Sequence, residues 1–180
     1  MKNLIKQQLI SRGDIYESFT VKIINKNIIN LVKVFYIFYD DYNSGSKLKI
    51  KNSIKQILES NHPSISESIA FSKHGFGQEY RPALLIKYKS QIRLIDVINK
   101  NVSNEILQKW TPTKKLINIL SIAMGMLYLH SRGILHRDLT PMNIFESDEL
   151  EPEIIDFGLA DTFINLKDIA KIKSVSPYYA

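Results

Sequence analysis

The stretch from His136 to Ala160 constrains this chain more than any other. It reads H-R-D-L-T-P-M-N-I-F, a short polar interval, then E-I-I-D-F-G-L-A. Three oxygen-bearing side chains stand in it: Asp138, Asn143 five residues later, and Asp156 thirteen after that. Hard cations take oxygen ligands, and Mg²⁺ is usually shared between one or two carboxylates and the phosphates of a substrate. Acid and amide in short loops beside apolar runs therefore suit a Mg²⁺–phosphate site. The chain has no cysteine, which excludes disulfides and thiolate chemistry. Its four histidines, His62, His74, His130 and His136, lack the spacing of a metal site.

H-R-D-x-x-x-x-N followed by D-F-G resembles the catalytic-loop and metal-loop signature of the protein kinases. On these two motifs the chain is identified as a member of that superfamily, of serine/threonine or tyrosine-kinase-like type. The resemblance implies an α+β, bilobal fold. A β-rich small lobe with one helix would occupy residues 1–89, to the hinge, and an incomplete, mainly helical large lobe residues 90–180. It implies ATP and Mg²⁺ as cofactors and a protein as substrate. Asp138 would accept the proton of the substrate hydroxyl or orient it, and Asn143 and Asp156 would hold the metals. His136 and Phe157 resemble packed spine residues, and Gly158 permits the turn after the metal ligand. Arg137 resembles the residue that pairs with an activation-loop phosphate. Thr162, Ser174 and Ser176 are candidate acceptors, or solvated loop hydroxyls.

Residues Leu9 to Tyr39 are rich in Ile, Val, Phe and Tyr, with turn signals at Ser11-Arg12-Gly13-Asp14 and Asn25-Lys26-Asn27. That pattern predicts three strands. They resemble the start of a kinase small lobe, in which Lys33 of L-V-K-V-F grips the phosphates. Lys33 follows Gly13 by 20 residues, whereas Lys22 leaves too little chain before it for two strands and a loop. Leu48, Ile50, Ile54, Ile57 and Leu58 predict a helix over 47–60, closed by Pro63. Ile69 to Phe71 and Ala83 to Tyr88 read as two further strands. The second resembles the strand entering the hinge, with Ile86 as gatekeeper and Lys87, Tyr88 and Lys89 as nucleotide-contacting hinge backbone. Gln91 to Asn99 reads as a short helix. Thr113 to Ser131 reads as a long one, started at Thr111-Pro112-Thr113 and stopped by Gly133. Its apolar residues cover more than one face, so burial on several sides is expected, with Trp110 as a packing anchor.

Five departures from the family pattern bear on activity. The G-x-G-x-x-G phosphate loop falls on Ser11, Gly13 and Tyr16, so one glycine of three remains. A tyrosine at the third position would crowd the phosphates or swing outward. The helix residue that should be a glutamate paired with Lys33 is Ser53, and Glu59 lies too late, on a different face. Leu31 replaces a small residue against the adenine. Thr140 stands where a lysine usually follows the catalytic Asp. The chain reaches Ala180 where the family continues into A-P-E, which raises the expectation of a fragment or of a degenerate copy needing a partner. Two functions remain. One is a protein kinase that transfers the ATP γ-phosphoryl to Ser/Thr, a preference that Pro141 and Ser176-Pro177 resemble. The alternative is a pseudokinase or truncated fragment acting as a binding or scaffold module.

The net charge of +6 comes from lysines scattered among Ile and Asn. Lys47, Lys49 and Lys51 read as a solvated helix face, and no basic stripe interleaved with aromatics points to nucleic acid. Lys6, Gln7 and Gln8 break the N-terminal apolar pattern, so it is no signal peptide. The longest apolar stretch, Leu116 to Leu129, is 14 residues, too short for a bilayer. The expected partners are ATP, a protein substrate and a regulatory protein, with neither nucleic acid nor membrane. The expected location is the cytoplasm, with the nucleus as the second choice.

Overall fold

The computed structural model describes residues 4–12, 16–24, 28–36, 43–73, 81–88, 90 and 92–157, without the side chains of 46 and 49. The chain divides into two compact units. The first contains residues 1–59 and 67–88, and the second residues 60–66 and 89–180.

The first unit is built on a five-stranded antiparallel sheet, in the order β1-β2-β3-β5-β4. Its strands are β1 (Leu4–Arg12), β2 (Tyr16–Ile23), β3 (Ile29–Phe35), β4 (Ser68–Ser72) and β5 (Ala83–Lys87). Successive side chains alternate between the sheet's faces. Phe19, Val21, Val32, Val34, Ala83 and Leu85 therefore meet on one face as a buried cluster. The opposite face carries Lys33, with Ser18 and Leu84 as its cross-strand partners. The strand β1 begins at Leu4, earlier than the sequence pattern predicted. Its Lys- and Gln-rich composition hides the strand because it is an exposed edge, where polar side chains discourage further pairing. Lys6 still serves the core, with its ammonium 3.3 Å from the centroid of the Phe19 ring.

The helix α1 runs Ser44–Leu58, displaced toward the N-terminus from the predicted 47–60. It buries Ile50, Ile54 and Ile57, spaced along one face.

The second unit holds α2 (Leu94–Ile98), α3 (Asn104–Lys109), α4 (Pro112–Ser131) and a small sheet of β6 (Ile92–Arg93), β7 (Ile144–Glu146) and β8 (Pro152–Ile154). The helix predicted over 91–99 thus opens as a strand, because Ile92 and Arg93 pair with Glu146 and Phe145. The helix α3 was missed. Its start signal is Ser103, whose hydroxyl accepts the Ile106 N–H at 3.4 Å. Trp110 packs on the buried Val97, Ile106 and Leu150, as an anchor should.

The long helix α4 matches its predicted bounds and caps. Thr111 Oγ1 accepts the Lys114 N–H at 3.2 Å, Pro112 opens the first turn, and Gly133 takes φ +71° just past the end. Its burial differs from the expectation. Among its described residues only Asn118, Gly125 and Leu129 are buried, while Leu116, Leu120 and Leu127 are each more than 60% exposed. None of the described helices is long and apolar enough to cross a membrane.

What α4 does bury is specific. A Cβ at Gly125 would stand 3.0 Å from Ile154 Cδ1, 3.2 Å from Ser64 Cβ and 3.3 Å from Ile65 Cδ1. This close approach seats the helix on β8 and on the 60–66 segment, which is itself tied to β8 by Ile154 N–H to Ser64 O at 2.8 Å and Ser66 N–H to Ile154 O at 3.0 Å. One turn pair earlier, Asn118 Nδ2 donates to both carboxylate oxygens of Glu146 at 2.9 Å. Burial pushes the Glu146 carboxyl up to about 7, against the opposing pull of the Asn118 amide and the charge of Lys114.

Two outcomes follow from this packing. Gly125→Val should destabilise the fold by about 1–3 kcal/mol through overpacking, read by urea denaturation. Glu146 gains protons on folding, so its contribution is full below the unfolded value of 4.5 and is lost as pH rises through about 7. The stability of the wild type relative to Glu146→Gln should fall by about 3 kcal/mol between pH 4.5 and pH 7.5, read by denaturation at each pH.

Candidate functional site

The antiparallel pairing of β7 and β8 sets Ile144 opposite Ile154, so Asn143 and Ile155 occupy the next rung. The Ile155 N–H donates to the Asn143 carbonyl at 3.0 Å. A single 3₁₀ turn, Pro141–Asn143, delivers Asn143 to that rung, and its N–H donates to the Thr140 carbonyl at 2.9 Å. From there the Asn143 amide reaches back, with Nδ2 donating to the backbone oxygen and to Oδ2 of Asp138, each at 2.8 Å. The Asp138 N–H in turn donates to His136 Nδ1 at 3.2 Å. A nitrogen that accepts cannot carry the proton in a neutral imidazole, so the proton sits on Nε2. That nitrogen donates to the Ile155 carbonyl at 2.8 Å. The bonds close a circuit: His136, Asp138, Asn143, Ile155 and back to His136.

Asp156 follows Ile155 directly, so this circuit brings Asp138, Asn143 and Asp156 to one end of the β7–β8 hairpin. Asp138 is exposed, and Asn143 and Asp156 are half-buried. His136 and Phe157 are buried, as their packing reading expected. Asp156 has φ 68° and Arg137 has φ 65°. Non-glycine residues in the left-handed region cost energy and cluster at functional sites, where the surroundings hold them in place. The donor set suits a hard divalent cation shared with phosphates. Asn143 donates through Nδ2 to Asp138, its other side-chain atom, Oδ1, is an acceptor, and Asp156 adds a carboxylate. Among the described residues no group of three or more His, Asp or Glu gathers to enclose an ion by itself. Two oxygen donors with the remaining positions filled by phosphates and water is the usual way Mg²⁺ is bound.

The first unit supplies the other predicted residues. Lys33 lies at the centre of β3 and is 1% exposed. Its Nζ donates to the Tyr16 hydroxyl at 3.2 Å and sits 4.3 Å from the centroid of the Tyr16 ring. Tyr16 thus turns inward over the lysine. It also meets Phe35 edge-on, with centroids 5.8 Å apart. Leu31 and Ile86 are cross-strand partners on the face that carries Lys33, and both are buried. Lys87 is committed to Glu67, through its backbone N–H at 2.9 Å and its ammonium at 2.8 Å. Tyr88 follows it, half-buried. The helix α1 contains no Asp or Glu. Ser53 is half-buried there, and Glu59 pairs with Lys55 at 3.7 Å. Gly13, Lys89, Gly158, Thr162, Ser174 and Ser176 lie outside the described residues. The Tyr16–Lys33 contact was missed in the sequence, because only the register of β2 on β3 shows that the two side chains share a face.

Comparison with known proteins agrees with this geometry. The protein kinase domain family matches residues 6–180. The eIF-2-alpha kinase GCN2 of Schizosaccharomyces pombe is 28% identical over 142 residues, covering 73% of this chain and 8% of that protein. The serine/threonine-protein kinase PLK4 of Nematostella vectensis is 38% identical over 79 residues, 42% of this chain and 8% of the relative. PLK4 of Xenopus laevis is 62% identical over 39 residues, 22% of this chain and 4% of the relative. The chain therefore spans less than a tenth of the length of each of these relatives. The family match covers almost every residue, both motifs included, and the fold is the α+β arrangement that such a match requires: the chain belongs to the protein kinase domain family.

Proposed function

We propose that this chain carries the phosphotransfer machinery of a protein kinase that uses Mg²⁺-ATP and acts on Ser or Thr hydroxyls of a protein. The observation that carries the reading is the closed hydrogen-bond circuit, which fixes Asp138 against Asn143 and sets Asp156 beside them. Asp138 accepts the proton of the attacking hydroxyl while its oxygen forms the new bond to the γ-phosphorus and the bond to the leaving ADP breaks. Asn143 Oδ1 and the Asp156 carboxylate would hold Mg²⁺, which when bound neutralises charge on the phosphates. Lys33 contributes a buried positive charge for the nucleotide's phosphates, and Gly13, Ile86, Lys87, Tyr88 and Lys89 are the further residues proposed to bind the nucleotide. Pro141 after Thr140, and the serine/threonine class named for PLK4, support the Ser/Thr preference.

A second reading has its own observations. The acid-free α1, the buried Leu31 and the single glycine of the loop favour a nucleotide-binding or scaffolding module without turnover. A ligand that binds the folded form raises its stability by RT ln(1 + [L]/Kd). Millimolar Mg²⁺-ATP should therefore raise the melting temperature, and Asp156→Ala should abolish the shift. No shift in the wild type would sink the nucleotide-binding reading. With a generic Ser/Thr peptide and labelled ATP, Asp138→Asn should lower phosphate incorporation by at least about 100-fold. A wild type that binds ATP but incorporates no label would favour the scaffold.

A further inference from the structure

We propose that Tyr16 is a positioning residue for Lys33: its hydroxyl and ring hold the ammonium in the place that a helix-borne carboxylate would otherwise fix. A lysine head sits on a flexible four-carbon stem and needs a partner to define its position. Burying its charge also costs free energy unless hydrogen bonds or ring electrons compensate. Tyr16 supplies both, with the hydroxyl at 3.2 Å from Nζ and the ring centroid at 4.3 Å.

The arrangement follows from the sheet. Tyr16 pairs with Phe35 and Ser18 pairs with Lys33, so Tyr16 is the diagonal neighbour of Lys33 on the same face. Diagonal cross-strand neighbours lie within reach of an aromatic side chain. Tyr16 opens β2, and its ring is steadied edge-on by Phe35, which is fully buried. The hold therefore comes from two paired strands rather than from the position of α1, which has no acid to offer. It also differs in charge. A carboxylate would cancel part of the lysine's positive charge, whereas a phenol hydroxyl orients it without adding a negative charge of its own.

The inference deepens the proposed function, so its test has one arm that needs nucleotide and one that does not. Tyr16→Phe keeps the ring and its contact with Phe35 and removes only the hydroxyl. By calorimetry, the variant should bind Mg²⁺-ATP about tenfold more weakly, as loss of a hydrogen bond to a charged group implies, with adenosine affinity unchanged. Lys33→Met should lose ATP affinity similarly, and the double variant should lose little more. If Tyr16→Phe binds ATP as tightly as the wild type or more tightly, Tyr16 does not position Lys33 and the inference is overturned. In the second arm, acylation of Lys33 by an amine-selective ester is followed by mass spectrometry of the free protein. Tyr16→Phe should raise the rate at Lys33 several-fold and leave the exposed Lys51 unaffected. An unchanged Lys33 rate overturns the inference. A wild type that fails to bind ATP while this second result holds would count against the kinase reading alone.

Discussion

The hydrogen-bond circuit through His136, Asp138, Asn143 and Ile155 is the constraint on which the rest of the second unit depends. Three segments meet in it: the loop after α4, the turn before β7, and the first residue after β8. Each bond uses a group that would otherwise be costly to bury or left to water. His136 shows the logic most clearly. Its two nitrogens each have an assigned role, so the imidazole stays neutral and serves as a strut rather than as an acid or base. Asp138 is left exposed at one end of that strut, and Asp156 emerges at the other in a left-handed conformation.

The first unit reaches its functional arrangement differently. Strand register places Lys33, Leu31, Ile86 and Tyr16 on a common face, and no loop conformation is needed to bring them there. This matters because the sequence departs from the family pattern both at the phosphate loop and at the lysine's helix-borne partner. The glycines of the loop are largely gone, and α1 carries no acid. The residue that seemed an obstruction, Tyr16, is the one in contact with the lysine. A sequence comparison registers that position as a lost glycine; the sheet shows what the substituted side chain touches.

The helix α4 separates two meanings of an apolar pattern. Its start, its end and its length were legible because caps act locally, within one turn. Its burial was not, because that depends on what other chain lies against it. Two of its three buried positions, Asn118 and Gly125, are ones that a hydrophobicity count passes over. Asn118 is buried by its bond to Glu146, and Gly125 by the close approach of Ile154 and Ile65. The short helix α3 and the strand β6 escaped notice for a related reason. Each is too brief for periodicity to register, and β6 is a strand only because β7 lies beside it.

The amino-acid sequence by itself determined the family and the order of the main strands and helices, and it named the residues proposed for the chemistry. Those properties reside in spacings such as that from Asp138 to Asn143 and in signals read over a few residues. Tertiary structure alone decided how the chemistry is held: Asn143 locked onto Asp138, His136 as a neutral strut, Glu146 raised in its carboxyl by burial, and Tyr16 turned onto Lys33. All four depend on pairs of residues brought together by strand register or helix packing, and partners made adjacent only by folding leave no mark in local sequence.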